Sequence, residues 1–83
     1  MSEEEIGRVS TFFARPVVAG IDLTACLRVG DTIHIKGHTT DVEVKVESIQ
    51  ISNAEVPEAD TGASVGVKVP DRVRPGDHVY RVT

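Results

Sequence analysis

The first pattern in the chain that could do chemistry is the stretch "HIKGHTTD", residues 34–41. It carries His34 and His38, four apart, with Asp41 close behind. On a helix that spacing sets both imidazoles on one face, the arrangement from which many zinc sites are built. The third histidine, His78, could join them only by cross-strand pairing. Structural zinc sites recruit cysteines in pairs, and this chain has one cysteine, Cys26. The flanking alternation, Thr32, His34 and Lys36 against Ile33 and Ile35, has a period of two and reads as a strand. His34 is then a solvent-facing strand position and His38 a turn residue. No metal ligand set and no cofactor are expected.

Nucleophilic catalysis needs an activated serine or cysteine beside a base with an orienting acid. Cys26 stands next to Leu27 in a connecting segment, where a small buried apolar role is expected. There is no G-x-S-x-G and no G-x-x-x-x-G-K-[ST], so a nucleophile elbow and P-loop nucleotide hydrolysis are both excluded. The carboxylates scatter over strand ends and turns. No catalytic residue is assigned, and the chain is not expected to be an enzyme.

Binding is the remaining chemistry. Lys68, Arg72 and Arg74 lie close together around the last long loop, stiffened by Pro70, and could meet a phosphate, an RNA or an acidic partner. Asp71 and Asp77 beside them also fit a merely soluble charged loop. Phe12 and Phe13 are adjacent, so on a strand they point to opposite faces. An exposed phenylalanine can stack a base or anchor a partner. Phe12 and Arg8, on the first strand, complete the candidate RNA- or partner-binding set of Arg8, Phe12, Lys68, Arg72 and Arg74.

These residues need a scaffold, and the composition states which kind. The chain holds 14 Val and 6 Ile against 2 Leu and 1 Met. β-Branched side chains suit a pleated surface better than a helix. Six strands are expected: 5–14, 17–23, 31–37, 41–52, 63–69 and 78–82. Arg15-Pro16 separates the first two, because proline lacks an N–H and holds its predecessor extended. Val42, Val44 and Val46 point one way, whereas Ile49 and Ile51 have the opposite parity, which predicts a β-bulge near Glu47-Ser48. Leu27 and Val29 tuck under the 24–31 connection, and Val56 anchors the polar loop 53–62. "LRVGD" and "VRPGD" repeat Arg-x-Gly-Asp before a strand, one turn solution used twice: Gly supplies the permissive backbone and Asp bonds the neighbouring amides.

The 83 residues make one small domain, 6–82, after an acidic N-terminus, 1–5, expected to be disordered. A net charge of −4 disfavours non-specific grip on nucleic acid. The single thiol, the acidic start and the lack of an apolar run of about 20 residues lead to the expectation of a cytoplasmic monomer without membrane insertion.

With the strands placed, "GRV" (7–9), "LRVGDTIHI" (27–35), "VESIQI" (46–51), "ADTGASVGVKV" (59–69) and "RPGDHV" (74–79) resemble the second domain of translational GTPases such as elongation factor Tu and bacterial initiation factor two. The resemblance implies a closed six-stranded β-barrel standing without its GTPase domain. It implies contact with tRNA or the ribosome, with Lys68, Arg72 and Arg74 as the nearest counterparts of the family's contact region. A similar barrel occurs at the C-terminus of collagenase-like peptidases. The alternative expectation is therefore a protein-interaction accessory module, partner to such a peptidase or to a translation protein.

Overall fold

The computed structural model describes residues 3–14, 17–52 and 54–82. The Arg15-Pro16 turn expected from the sequence lies outside them. Ten strands follow in chain order: β1 (Glu3–Ala14), β2 (Val17–Leu23), β3 (Leu27–Arg28), β4 (Thr32–Lys36), β5 (Asp41–Lys45), β6 (Ile49–Ile51), β7 (Ala54–Val56), β8 (Glu58–Ala59), β9 (Ser64–Lys68) and β10 (His78–Val82). The all-β class stands, as the β-branched composition requires. The six expected strands become ten because 41–52 divides in two and three short strands form within the connections.

Eight strands make one antiparallel sheet in the order β5-β4-β10-β1-β2-β9-β6-β7; β3 and β8 form a separate pair. The sheet keeps two edges, β5 and β7, which do not pair with each other, so the closed six-stranded barrel is not formed. The break at residues 46–48 is the reason. β5 pairs with β4, whereas β6 turns away to pair with β9 and β7. The expected bulge is thus a change of partner. The parity switch keeps both Val46 and Ile49 buried across it. Between the two edges runs the segment after Cys26: Gly30 N–H donates to Val46 O (2.8 Å) and Val29 N–H to Pro57 O (3.0 Å).

One face of the sheet feeds a single core of Ile, Val, Leu and Ala. Ala19, Ile21 and Leu23 of β2, Ile33 and Ile35 of β4, and Val65 and Val67 of β9 are buried on strict alternation. Leu27 is buried as expected, but Val29 is 44% exposed. Its backbone spends itself on Pro57, and its side chain turns outward.

Residues 3–5 depart from the expected disorder. Glu3, Glu4 and Glu5 extend β1 against Val82, Arg81 and Tyr80 of β10. Each carboxylate also meets a basic side chain. Glu3 bonds His34 (2.7 Å) and Lys36 (3.1 Å), Glu4 bonds Arg81 (2.7 Å), and Glu5 bonds His78.

The two Arg-x-Gly-Asp turns are built alike. Asp31 Oδ2 accepts from Arg28 N–H at 3.0 Å, and Asp77 Oδ2 from Arg74 N–H at 2.9 Å. In both, the Asp N–H returns to the Arg carbonyl at 3.1 Å. Gly30 and Gly76 take φ of 99° and 95°, which L side chains resist. The turns launch β4 and β10, which lie side by side.

Candidate interaction surface

The outer face of β1, β2, β9 and β6 carries a groove. Alternation points Val18, Gly20 and Asp22 outward on β2, and Ser64, Gly66 and Lys68 outward on β9. Register sets Thr11 opposite Gly20, Gly20 opposite Gly66, and Gly66 opposite Gln50. Two glycines side by side remove the side chains from the middle of that row. Phe13, paired with Val18, walls one side, leaving a space of about 430 Å³. That volume lies in the range of pockets that hold small ligands or a few side chains.

A bulge decides which phenylalanine faces out. Between Val9 and Thr11 the β1–β2 register shifts by one, so Ser10 is the extra residue. Its hydroxyl donates to Gly20 O at 3.2 Å. Beyond the shift, Phe12 stands opposite the core residue Ala19 and packs against the core, while Phe13 is 55% exposed. The sequence candidate Phe12 is therefore the inward aromatic, and Phe13 is the one a partner can touch. A bulge deep in a strand leaves no parity break among residues as mixed as Ser10 and Thr11, so the pattern alone could not find it.

The basic candidates divide between two places. Arg72 and Arg74 line a second cleft, about 380 Å³, with Asp71 and residues 39–42. Asp71 accepts from the Arg72 amide at 2.7 Å. Lys68 does not line that cleft; it sits beyond Val18 at one end of the groove, as Val18's register partner. Arg8 stands at the other end, opposite Asp22. Asp22 in turn accepts from the Ser64 hydroxyl at 2.7 Å. Neither Arg8 nor Lys68 makes an ion pair among the described residues.

The third surface is the charged face of β1, β10, β4 and β5. His34 is held on both ring nitrogens, Nδ1 by Glu3 (2.7 Å) and Nε2 by Asp41. Carboxylates only accept, so two of them fix the imidazolium, whose two N–H groups both donate. Asp41 first and Glu3 second raise the His34 pKa above that of a free imidazole. In return His34 lowers the pKa of Asp41, and His34 and then Lys36 lower that of Glu3. Lys36 also lies over the Tyr80 ring at 5.7 Å. His34 is thus engaged rather than simply solvent-facing. The two carboxylates grip opposite sides of its ring and share no point where a cation could sit. Among the described residues no group of three His, Cys, Asp or Glu is placed to hold a metal ion.

Cys26 is exposed, not the buried apolar residue expected. Its carbonyl accepts from Arg81 at 2.7 Å, and its Sγ lies 3.8 Å from the same guanidinium. The Cys26 side chain and then Glu4 raise the Arg81 pKa further. None of the hydrogen bonds among the described residues joins the thiol to a histidine or a carboxylate. No helix among the described residues is long and apolar enough to cross a membrane.

No family model matches the chain. Over 77 residues it is 49% identical to an uncharacterised protease of Methanocaldococcus jannaschii. Over 78 residues it is 36% identical to a collagenase of Porphyromonas gingivalis. Each match covers 92% of this chain but only 19% and 22% of the relative, so the chain spans about a fifth of the length of the curated relatives it matches. Its fold superposes on the C-terminal domain of a Geobacillus thermoleovorans protein assigned to the U32 peptidases. That superposition has a TM-score of 0.89 at 19% identity and covers 96% of this chain and 93% of that one. GDP-bound aIF5B from Aeropyrum pernix also superposes, with a TM-score of 0.66 at 19% identity over 94% of this chain and 15% of that one.

These findings overturn the elongation-factor reading. The sequence relatives are proteases, and the likeness to aIF5B is one of fold alone. In this chain "RVGD" and "RPGDHV" build turns that launch strands, so their likeness to translational GTPases carries the fold and not the family. Contact with tRNA or the ribosome loses its support with that correction. Almost from end to end, the chain is similar to a segment of proteases and to an isolated U32 peptidase C-terminal domain.

Proposed function

We propose that this chain is a non-catalytic protein-interaction module that serves a collagenase-like peptidase of the U32 type. The observation that carries this is the 49% identity to a stretch amounting to 19% of a protease. A segment that small, folded around a core of valine and isoleucine, leaves the chemistry to the rest of such a protein. The side chains agree. The thiol faces an arginine, His34 and His78 are tied to carboxylates, and none of the hydrogen bonds among the described residues joins a serine, threonine or cysteine side chain to a histidine. The exposed groove offers a binding surface instead.

The test is direct. The chain is mixed with the M. jannaschii relative from which the matched stretch has been removed, and association is followed by calorimetry and size-exclusion light scattering. A one-to-one complex with a dissociation constant at or below about 10 μM is expected. The chain alone should release no fragments from gelatin. Absence of any complex at about 100 μM, or gelatin cleavage by the chain alone, would overturn the proposal.

A further inference from the structure

We infer that the groove over Gly20 and Gly66 is where this module receives its protein partner, and that the occupant is an extended, uncharged segment flanked by acidic residues. The inference rests on the accessory reading for the partner's identity and on the groove itself for the partner's chemistry.

Three observations converge on that chemistry. The first is charge. In a chain with 27% charged residues, none of the groove's ten lining residues carries a charge. The polar groups there are neutral: the hydroxyls of Ser10, Ser52 and Ser64 and the amide of Gln50. The Ser52 hydroxyl and the Gln50 amide can donate to backbone carbonyls, while Ser10 and Ser64, whose protons go to Gly20 O and Asp22, can accept from backbone N–H groups, all without demanding a counter-charge. The other surfaces differ. The Arg72 cleft holds Asp41 and Asp71, and the His34 face is filled by its own ion pairs.

The second is shape. Phe13 stands 55% exposed beside the glycine row. An exposed aromatic next to a gap where side chains are missing is a ready anchor pair for a partner's chain. A Cβ at Gly20 would overlap Thr11 Cγ2 at 2.7 Å, so Thr11 covers that glycine, whereas a Cβ at Gly66 would meet the outward Val18 Cγ1, closely, at 3.3 Å, and no core side chain. The gap opens outward over Gly66.

The third is the rim. Lys68 stands at one end and Arg8 at the other, both without an ion pair among the described residues. Asp22 neighbours Arg8 but is already bonded by Ser64. From Asp22 to Val18 is four strand steps, about 13 Å. An extended segment of about four uncharged residues fills that span, and an acidic residue at each end then meets Arg8 and Lys68.

The experiment has two arms read by amide NMR on the intact chain. In the first, the peptide acetyl-Glu-Ala-Val-Ser-Val-Glu-amide is titrated against a control whose two Glu are replaced by Lys. The acidic peptide should shift the amides of Thr11, Gly20, Gly66 and Gln50, and the lysine peptide should shift them at least threefold less. Equal shifts from both, or none at millimolar peptide, would overturn the inference. In the second arm, Phe13→Asp and Gly66→Arg are compared with wild type for binding the truncated protease. Each should weaken binding tenfold or more, while Arg72→Ala stays within twofold. Unchanged melting temperatures establish that the variants fold. Peptide binding without protease binding leaves the groove standing and removes the accessory reading. Protease binding untouched by the groove variants does the reverse.

Discussion

Two turns in this molecule share an Arg-x-Gly-Asp pattern and its hydrogen bonds but not an environment. Arg28–Asp31 and Arg74–Asp77 each close an Asp carboxylate on the Arg amide, with a left-handed glycine between. Asp31 remains partly open, and its Oδ2 lies 3.9 Å from Arg81 Nη1. Asp77 is 6% exposed, and its backbone joins β1 through Val9 N–H to Asp77 O (2.8 Å) and Gly76 N–H to Val9 O (2.7 Å). Its carboxylate also lies against Gly37, where any Cβ would overlap Oδ1. The same Arg-x-Gly-Asp pattern makes a surface turn in one place and a structural joint in the other. A motif specifies local bonds; the neighbours decide what those bonds are worth.

Gly37→Ala should break the second turn most severely, because the new methyl meets a buried carboxylate that cannot retreat without losing its amide. A loss of about 3 kcal/mol in urea unfolding is expected. In an Asp77→Ala background the same substitution should cost under about 1 kcal/mol, since the clash has gone. Equal costs in both backgrounds would refute the contact.

Asp77→Ala alone should cost about 2 kcal/mol, by stripping a part-buried amide of its acceptor. Asp31→Ala removes the same bond where water can replace it, so about 0.5 kcal/mol is expected. The difference between the two is the burial term, and identical losses would show that environment does not matter here. Between these extremes, Gly30→Ala and Gly76→Ala should each cost about 1 kcal/mol, nearly alike, because both pay the same left-handed backbone strain.

The smallest effect concerns the strand that the first turn launches. His34 should titrate above 6.5 by NMR, held by Asp41 and Glu3. Its folded pKa is raised, so its stabilisation is complete below 6.5 and is lost as pH rises through the raised value. The lowered Glu3 and Asp41 contribute in the opposite sense, present above the ordinary carboxylate range and lost as pH falls through their depressed values. Unfolding midpoints should therefore fall slightly on the alkaline side of 6.5 in the wild type and stay flat in His34→Gln. The effect is small because these pairs are solvated.

Much of the scaffold was legible. Strict alternation in 31–37 and 63–69 announced their inward residues, and the parity switch after Val46 announced the break that became a change of partner. The recurrence of Arg-x-Gly-Asp announced its turns, because those bonds lie within four residues. The candidate surface was less legible. Arg8 and Lys68 lie 60 positions apart in the sequence and bracket one groove only because β1, β2 and β9 are neighbours. Arg72 and Arg74, close in sequence to Lys68, face a different cleft. Glu3, Glu4 and Glu5 looked like a solvated tail because their partners, His34, Lys36, Arg81 and His78, sit on strands no local pattern connects to them.

The sequence by itself determined the all-β class, the inward faces and the two matching turns, since these follow from side-chain period and from hydrogen bonds that span a few residues. Only the tertiary structure decided that the sheet stays open and that Phe13 rather than Phe12 faces out. It also decided that two glycines distant in the chain lie side by side and that one aspartate of two is buried. Each of these depends on register between strands, and register is set by the whole core packing at once rather than by any segment alone.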